Sequence, residues 1–363
     1  MTLVSIVGDF FSSVVPVFYY YKDEIDTHII ISDDSKRDDL YARKFFNGVE
    51  NFTKQNNLNI KNFYYTIDED SIESLTKAIE FMKKNQKGDL YLNITDGFAT
   101  LNTIFSNKLL PSGAKVISYD RYDNEFHLIS TQGIQKIKIT NSPSIKEHFL
   151  LKDVKVCKTS KKDFALEYQD EIESLFKDHY KEYRSFIKYL SYKSKLPHKL
   201  DYPNMYKIFG LMDYWDSNLE HINFQPMTGD MYEYFTYLQI KDLDFDDIEI
   251  GVNIKDFVDN EWYENEFDIL LMKDNHLHMI ECKFKRYVDN ISNLIYKYSS
   301  LKRFVDDDAK IIILSDMPQQ KIKQVHKTRA FMNDIILLTR DNNLQQKVND
   351  VLIKEKDFRK KLK

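Results

Sequence analysis

Glu264-Asn265-Glu266-Phe267-Asp268-Ile269-Leu270-Leu271-Met272-Lys273, then Asp274-Asn275, then His276-Leu277-His278-Met279-Ile280-Glu281-Cys282-Lys283, reads as two apolar strands folded about a two-residue turn. Asx residues tolerate the positive φ that so tight a loop demands. With Asp274-Asn275 as the loop, Lys273 stands opposite His276. Asp268 then falls opposite Glu281, and Glu266 opposite Lys283. The two-residue period of a strand puts all four on one face, with directly opposed side chains roughly 5 Å apart at Cβ. Two carboxylates so placed in otherwise apolar strands repel each other and are costly to bury. A divalent cation between them removes that difficulty, and hard oxygen ligands suit Mg²⁺ or Mn²⁺. Lys283 beside such a site is suited to orienting water and stabilising a pentacovalent phosphate, while the cation polarises the phosphoryl oxygen. The spacing therefore predicts metal-dependent phosphodiester hydrolysis. The plain alternative is an exposed sheet face with ordinary ion pairs. Apolar residues on both faces of the strands argue against it.

Outward from the hairpin, a strand is expected at Ile248–Ile254. A helix is expected from about Thr228, with that residue as N-cap and Asp230 in the first turn. Downstream, Ile291, Leu294, Tyr298, Leu301 and Phe304 mark a helix. A strand at Ile311–Leu314, a helix, a strand at Ile335–Leu338 and a basic helix follow. Residues 1 to about 120 alternate short β-rich runs with stretches of helical period. The runs are Leu3–Val7, His28–Ile31, Phe63–Thr66, Leu90–Ile94 and Val116–Tyr119; the helical stretches include Leu40–Gln55 and Ile72–Lys84. That alternation predicts βαβ units and a parallel, doubly wound sheet. A two-strand tail, Glu125–Ser130 and Ile134–Thr140, follows. Residues 145 to about 222 are helical and Lys/Tyr-rich with no clean strand pattern, and Lys158, Lys161 and Lys162 read as a solvated basic face. The expected layout is a Rossmann-like α/β domain over 1–145, a helical connector over 146–222 and a second α/β domain over 223–363.

The composition agrees. A chain of 363 residues is long enough for two domains, and 42% hydrophobic residues supply real cores. A net charge of -5 excludes a globally basic nucleic-acid binder, so any polyanion must be met by local basic patches or bound cations. Cys157 and Cys282 stand too far apart for a disulfide framework or a Cys-rich zinc site and point to a reducing cytoplasm. The apolar run Leu3–Tyr21 has no preceding Lys or Arg, is interrupted by Asp9 and broken by Pro16. It fits neither a signal peptide nor a membrane span, so no membrane is expected.

An open α/β sheet binds ligands beyond the carboxyl ends of its strands. There the first strand is followed by Gly8-Asp9-Phe10-Phe11-Ser12-Ser13, the second by Ser32-Asp33-Asp34-Ser35-Lys36 and the fourth by Asn93-Ile94-Thr95-Asp96-Gly97-Phe98-Ala99-Thr100. Small and hydroxyl residues ahead of helices offer backbone N–H groups to phosphate; ordinary helix capping is the alternative. Neither a G-x-G-x-x-G nor a P-loop motif is present, so dinucleotide and nucleoside-triphosphate readings are weak.

Asp268 followed by Glu281-Cys282-Lys283 resembles the core motif of the PD-(D/E)xK nuclease superfamily. The resemblance implies an acidic residue on the preceding helix. Thr228-Gly229-Asp230-Met231-Tyr232-Glu233-Tyr234-Phe235 looks like that helix, with Glu233 as a third metal ligand beside Asp268 and Glu281. It also implies a polar residue from the following helix, with Lys297 the candidate. Taken whole, the chain resembles the CARF-domain nucleases of type III CRISPR systems, and most of all those that cyclic tetra-adenylate activates to cut RNA and DNA. Their sensor motif is N-x-T-G-G-T-K. Asn93, Thr95 and Gly97 fit it; Asp96 replaces its first glycine and Phe98-Ala99 its Thr-Lys, with Lys36 a substitute cation. The resemblance implies a homodimer holding a cyclic oligoadenylate, the tetra-adenylate foremost, on its two-fold axis. The contacts would come from Gly8, Asp9, Phe10, Phe11, Ser12, Ser13, Ser32, Asn93, Thr95, Asp96, Gly97 and Thr100. It further implies an antiviral endonuclease cleaving single-stranded RNA or DNA, or nicking duplex DNA. Two rival readings are a non-catalytic nucleic-acid-binding regulator and a nuclease with a different small-molecule sensor. Intact Asp268, Glu281 and Lys283 count against the first.

Overall fold

The protein is described here by a computed structural model covering residues 1–8, 13–159, 162–193, 195–215, 226–258, 261–284, 291–302, 305–306, 309–318, 322–339 and 343–352; of residues 36–38, 226, 228 and 258 only the backbone is described. Asp9, Phe10, Phe11, Ser12, Lys161 and Phe304, and the side chains of Lys36 and Thr228, lie outside that description.

The first half builds a seven-stranded sheet in the order β3-β2-β1-β4-β5-β6-β7. Its strands are β1 (Thr2–Ile6), β2 (Thr27–Asp33), β3 (Lys61–Ile67), β4 (Leu90–Asn93), β5 (Lys115–Asp120), β6 (Glu125–Ser130) and β7 (Gly133–Lys138). The first five pair in parallel, and β6 and β7 close one edge antiparallel. Parallel strands covered on both faces must be apolar on both sides, and every residue of β1 and β2 is buried. Helices α1 (Val15–Tyr21) and α2 (Lys36–Gln55) pack on one face, where Phe18, Phe45 and Phe52 meet Leu3 and Ile30. Helices α3 (Ile72–Asn85) and α4 (Ala99–Leu109) pack on the other, where Leu75, Leu101 and Phe105 meet Val4 and Ile6. From β1 the chain winds outward through β2 and β3, then returns to place β4 on the other side of β1. The crevice between the carboxyl ends of β1 and β4 is therefore the switch point, where such sheets bind ligands.

The second sheet runs β13-β12-β11-β10-β9-β8. It consists of β8 (Lys155–Lys158), β9 (Asp247–Val258), β10 (Glu261–Lys273), β11 (His276–Lys283), β12 (Ile311–Ser315) and β13 (Ile335–Thr339). Strands β9, β10 and β11 are antiparallel; β11, β12 and β13 are parallel. One face carries α6 (Lys162–Glu167), α7 (Gln169–Lys177), α8 (Tyr180–Lys193), α9 (Pro203–Leu211), α10 (Met231–Ile240) and α13 (Leu344–Leu352). The other carries α5 (Ile145–Leu151), α11 (Ile291–Leu301) and α12 (Gln324–Met332). No helix among the described residues is long and apolar enough to cross a membrane.

Two local expectations need correction. The stretch after residue 145 was expected to lack strands, yet Lys155–Lys158 forms β8 against β9. It is an edge strand of four residues, mostly exposed, so its own sequence carries almost no alternation; the neighbouring strand supplies the pairing. The helix expected from Thr228 begins at Met231 with Asp230 as N-cap, and a π-helical turn, Pro226–Asp230, precedes it.

Helix α5 is fixed to the second sheet by a buried charge cluster. Asp306 accepts the Leu277 N–H at 2.9 Å and lies 3.4 Å from His148 and 3.5 Å from Lys152. Burial works against its charge, yet His148, Lys152 and the Leu277 N–H hold the Asp306 carboxyl well below the usual carboxylate range. Removing one partner of such a cluster strands the others. Asp306→Ala is expected to lower stability by about 3–5 kcal/mol, read by urea denaturation at pH 7. A loss below about 1 kcal/mol would show that the cluster is not holding α5.

Candidate active site

The turn that sets the hairpin is Asp274 at φ 52° and Asn275 at φ 67°. Lys273 pairs with His276, and the register runs unbroken to Ile269 opposite Ile280, as the sequence predicts. At the next step the carboxylates enter. Asp268 Oδ2 accepts the Cys282 N–H at 2.7 Å, tying β10 to β11 through a side chain. On the other side of β10, Phe267 and Ile269 pair with Val252 and Ile250 of β9. Gly251 between them stands at φ 58°, a backbone angle that a residue with a Cβ rarely adopts.

Glu281 is buried, and the Asp268 side chain is only 14% exposed. The Lys283 ammonium pairs with Glu281 and lies 3.9 Å from Asp268 Oδ2. Burial and then the Glu281 charge push the Asp268 carboxyl up to about 7, and the opposing pulls of Lys283 and the Cys282 N–H do not cancel them. Burial opposes the Lys283 charge, but the two carboxylates hold its pKa above the ordinary value. One ammonium thus compensates two carboxylates incompletely. The donor set is two hard oxygens in a partly desolvated corner with negative charge left over, which fits a divalent cation. Glu266, expected opposite Lys283, is exposed and acts on Asp268 only as the last of the charges raising it.

Helix α10 lies over β11 and carries Glu233, half-buried, in its first turn. The Glu233 charge is felt at Cys282, whose thiol burial pushes well above its ordinary pKa. With Asp268 and Glu281, Glu233 does not form a group whose ligand atoms all lie within 4.8 Å of one another. Among the described residues, the group of three whose ligand atoms lie within 4.8 Å of one another is Asp120, Glu125 and His127, in the first sheet. There Glu125 already pairs with Lys136 and His127.

Lys297 reaches the site at one remove. Its ammonium lies 3.3 Å from the Tyr298 hydroxyl. Burial, then the charge of Glu281 and a hydrogen bond to it, raise the Tyr298 pKa. Sequence reasoning assigned Tyr298 to the apolar stripe of its helix; only its contact with Glu281 shows the polar role. Arg184 of α8 was also missed. It stacks on Phe284 at 4.7 Å and pairs at 3.2 Å with Asp316, whose amide donates to the Lys283 carbonyl at 3.1 Å. Nothing in its Lys/Tyr-rich surroundings marks it out.

At the switch point of the first sheet, Gly8 and Gly97 approach so closely that a Cβ on Gly8 would lie 3.1 Å from Gly97 Cα. Gly97 stands at φ 79°, and a Cβ there would meet Ile6 Cγ2 at 2.4 Å, so glycine is required. Asp96 is buried and its carboxylate accepts the Gly8 N–H at 2.8 Å. Asn93 Oδ1 accepts from the Thr95 N–H at 3.1 Å and the Thr95 hydroxyl at 2.6 Å, and Thr95 Oγ1 accepts the Tyr119 N–H at 3.0 Å. Ser32 is buried and donates to the Asp33 carbonyl. Thr100 is exposed in the first turn of α4.

The raised Asp268 pKa fixes a pH dependence for the metal-free protein. Between 3.8 and about 7 the native state keeps a proton that the unfolded chain has lost, so stability falls as pH rises through this window and stays reduced above it. Asp268→Asn keeps the acceptor for Cys282 without the charge. It is expected to stabilise the metal-free protein at pH 8 by about 1–3 kcal/mol and to flatten the slope between pH 4 and 7. A lower melting midpoint than wild type at pH 8 would refute this account of the site.

No curated protein matches the chain in sequence. Residues 222–350 match the family described as Card1-like, endonuclease domain. Among solved structures, protein VC1899 from Vibrio cholerae is similar over 99% of this chain and 98% of its own, at 14% identity and a TM-score of 0.74. Can2 from Sulfobacillus thermosulfidooxidans, solved in complex with cyclic tetra-adenylate, is similar over 98% of this chain and 99% of its own, at 15% identity and a TM-score of 0.69. At such identities the likeness is one of fold. The C-terminal part of the chain thus resembles a Card1-like endonuclease domain, in a chain whose two-sheet α/β fold is like that of Can2.

Proposed function

We propose that this chain is a divalent-metal-dependent endonuclease, switched on by a cyclic oligoadenylate held across a homodimer and acting in type III CRISPR antiviral defence. The observation that carries the reading is the Asp268–Glu281 pair, with Asp268 lifted to about 7 and Lys283 against both. The Card1-like match of residues 222–350 supports the nuclease assignment, and the likeness to Can2, a protein solved with cyclic tetra-adenylate, supports the sensor. Asp268 and Glu281 would hold Mn²⁺ or Mg²⁺, with Glu233 completing the set from α10. When bound, the cation supplies Lewis acidity and lowers the pKa of water in its shell. Lys283 positions the attacking water and stabilises the charge that gathers on the phosphoryl oxygens as the P–O bond breaks. Tyr298, backed by Lys297, fixes the Glu281 carboxylate. Single-stranded RNA or DNA is the proposed substrate. Gly8, Asp9, Phe10, Phe11, Ser12, Ser13, Ser32, Asn93, Thr95, Gly97 and Thr100 are the proposed ring contacts, with Asp96 holding the Gly8 loop rather than touching the ring. The free cysteines Cys157 and Cys282 fit a reducing cytoplasm.

The deciding experiment is cleavage of single-stranded RNA, single-stranded DNA and plasmid with Mn²⁺ and cyclic tri-, tetra- and hexa-adenylate. Excess chelator and Glu281→Ala should each abolish cleavage, the variant without unfolding; full activity in chelator would exclude metal catalysis. Lys283→Ala should lower the single-turnover rate about 10²-fold or more, and a near-normal rate would remove Lys283 from the reaction.

The sensor is tested by calorimetry. Thr95→Val strands the Tyr119 N–H, which costs about 1–3 kcal/mol when buried, and Asn93→Ala removes the acceptor that shapes the loop. Both should weaken ring binding. Absence of heat with all three rings would refute the sensor and leave the nuclease standing.

A further inference from the structure

The strongest feature outside the two sites is the place where the two sheets meet. The tip of the β10–β11 hairpin lies against the first sheet, and hydrogen bonds run without a gap from the Thr95 loop to that tip. Thr95 Oγ1 accepts the Tyr119 N–H at 3.0 Å. The Tyr119 ring is buried, and its hydroxyl lies 3.1 Å from Asn124 Oδ1 and 3.4 Å from the Asp274 carbonyl. Asn124 Oδ1 also accepts from Asn275 Nδ2 at 3.1 Å. His276 stacks near the Tyr119 ring at 6.5 Å and bonds the Arg121 carbonyl at 2.9 Å. Ser142 Oγ accepts the Asn275 N–H at 3.1 Å. Tyr119, Asn124 and Asn275 are all buried, so water does not substitute for these bonds at no cost.

We infer that Tyr119, Asn124 and Asn275 couple the Thr95 loop to the carboxylate pair through the hairpin, outside the machinery of the reaction itself. The inference rests on the sensor and nuclease reading proposed above. The hairpin is a paired ladder from Lys273–His276 to Ile269–Ile280, roughly 3.3 Å per residue, so force at its tip is carried to Asp268 and Glu281 as a body. Glu233 does not ride on the hairpin; it stands on α10. A displacement of the tip therefore changes the position of Asp268 and Glu281 relative to Glu233 on its separate helix. A ring that shifts the Thr95 loop moves the Tyr119 amide directly, and the Tyr119 side chain hands the shift to the Asp274-Asn275 turn. The coupling works only through the difference in ring affinity between the two hairpin positions.

The test compares the full-length wild type with Tyr119→Phe, which keeps the ring and loses the hydroxyl, and with Asn275→Gly, which keeps the left-handed turn and loses the amide. Three quantities are read with Mn²⁺ and cyclic tetra-adenylate: ring affinity by calorimetry, cleavage with and without the ring, and hydrogen exchange at amides 273–277. Each variant should bind the ring within about threefold of wild type and keep its unstimulated cleavage, while the stimulation ratio falls about tenfold, within the usual range of such couplings. Ring-induced protection of amides 273–277 should be present in wild type and lost in both variants. The double variant should lose no more than either single one, as expected of residues acting in one chain. An unchanged stimulation ratio in both variants, or an equal fall in stimulated and unstimulated cleavage, would overturn the coupling and leave the sensor reading intact. A wild type that binds no ring or is not stimulated by it would overturn both.

Discussion

Asp274 and Asn275 both stand in the left-handed region, and the register of the hairpin follows from that pair. Side chains alternate faces along a strand, so a slip of one residue would send Asp268 and Glu281 to opposite sides of the sheet. With the observed register they share one face, and the Lys283 ammonium meets both. The same two turn residues also make the contact with the first sheet, through the Asp274 carbonyl and the Asn275 amide. One tight turn therefore does two jobs. It aligns the carboxylates, and it presents the hairpin tip to the other half of the chain.

The carboxylate pair is an electrostatic compromise. Apolar strands pack both faces of the second sheet, which gives the hairpin rigidity and strips water from Asp268 and Glu281. The same desolvation pushes Asp268 up to about 7, so the ionised pair costs the fold stability at neutral pH and above. Functional sites often keep such a conflict between stability and chemistry. Lys283 relieves part of it from two residues along the same strand, which is why an acid and a lysine separated by one position on a strand make a natural unit.

In the first sheet the device is different. Gly8 and Gly97 let the loops after β1 and β4 touch at the switch point. Asp96 is not a free charge facing a phosphate: its carboxylate takes the Gly8 amide. The substitution that looks damaging beside the motif N-x-T-G-G-T-K thus has a structural occupation in this chain.

Much of this was legible in the sequence because it is local. Strand alternation, helical period and the Asp274-Asn275 turn depend on near neighbours, and they gave the parallel sheet, the hairpin register and the shared face of Asp268, Glu281 and Lys283. The edge strand Lys155–Lys158 was not legible, since four exposed residues have no pattern of their own and β9 alone makes them a strand. Tyr298 was read as core because its period fits the apolar stripe, and only the packing of its helix against β11 brings its hydroxyl to Glu281. Arg184 reaches Phe284 across 100 residues of chain, and no spacing rule spans that distance. The sequence by itself determined which elements form and which residues share a face. Tertiary structure decided desolvation and the contact of the hairpin tip with Tyr119 and Asn124, because each depends on how distant segments pack and not on the order of residues along one of them.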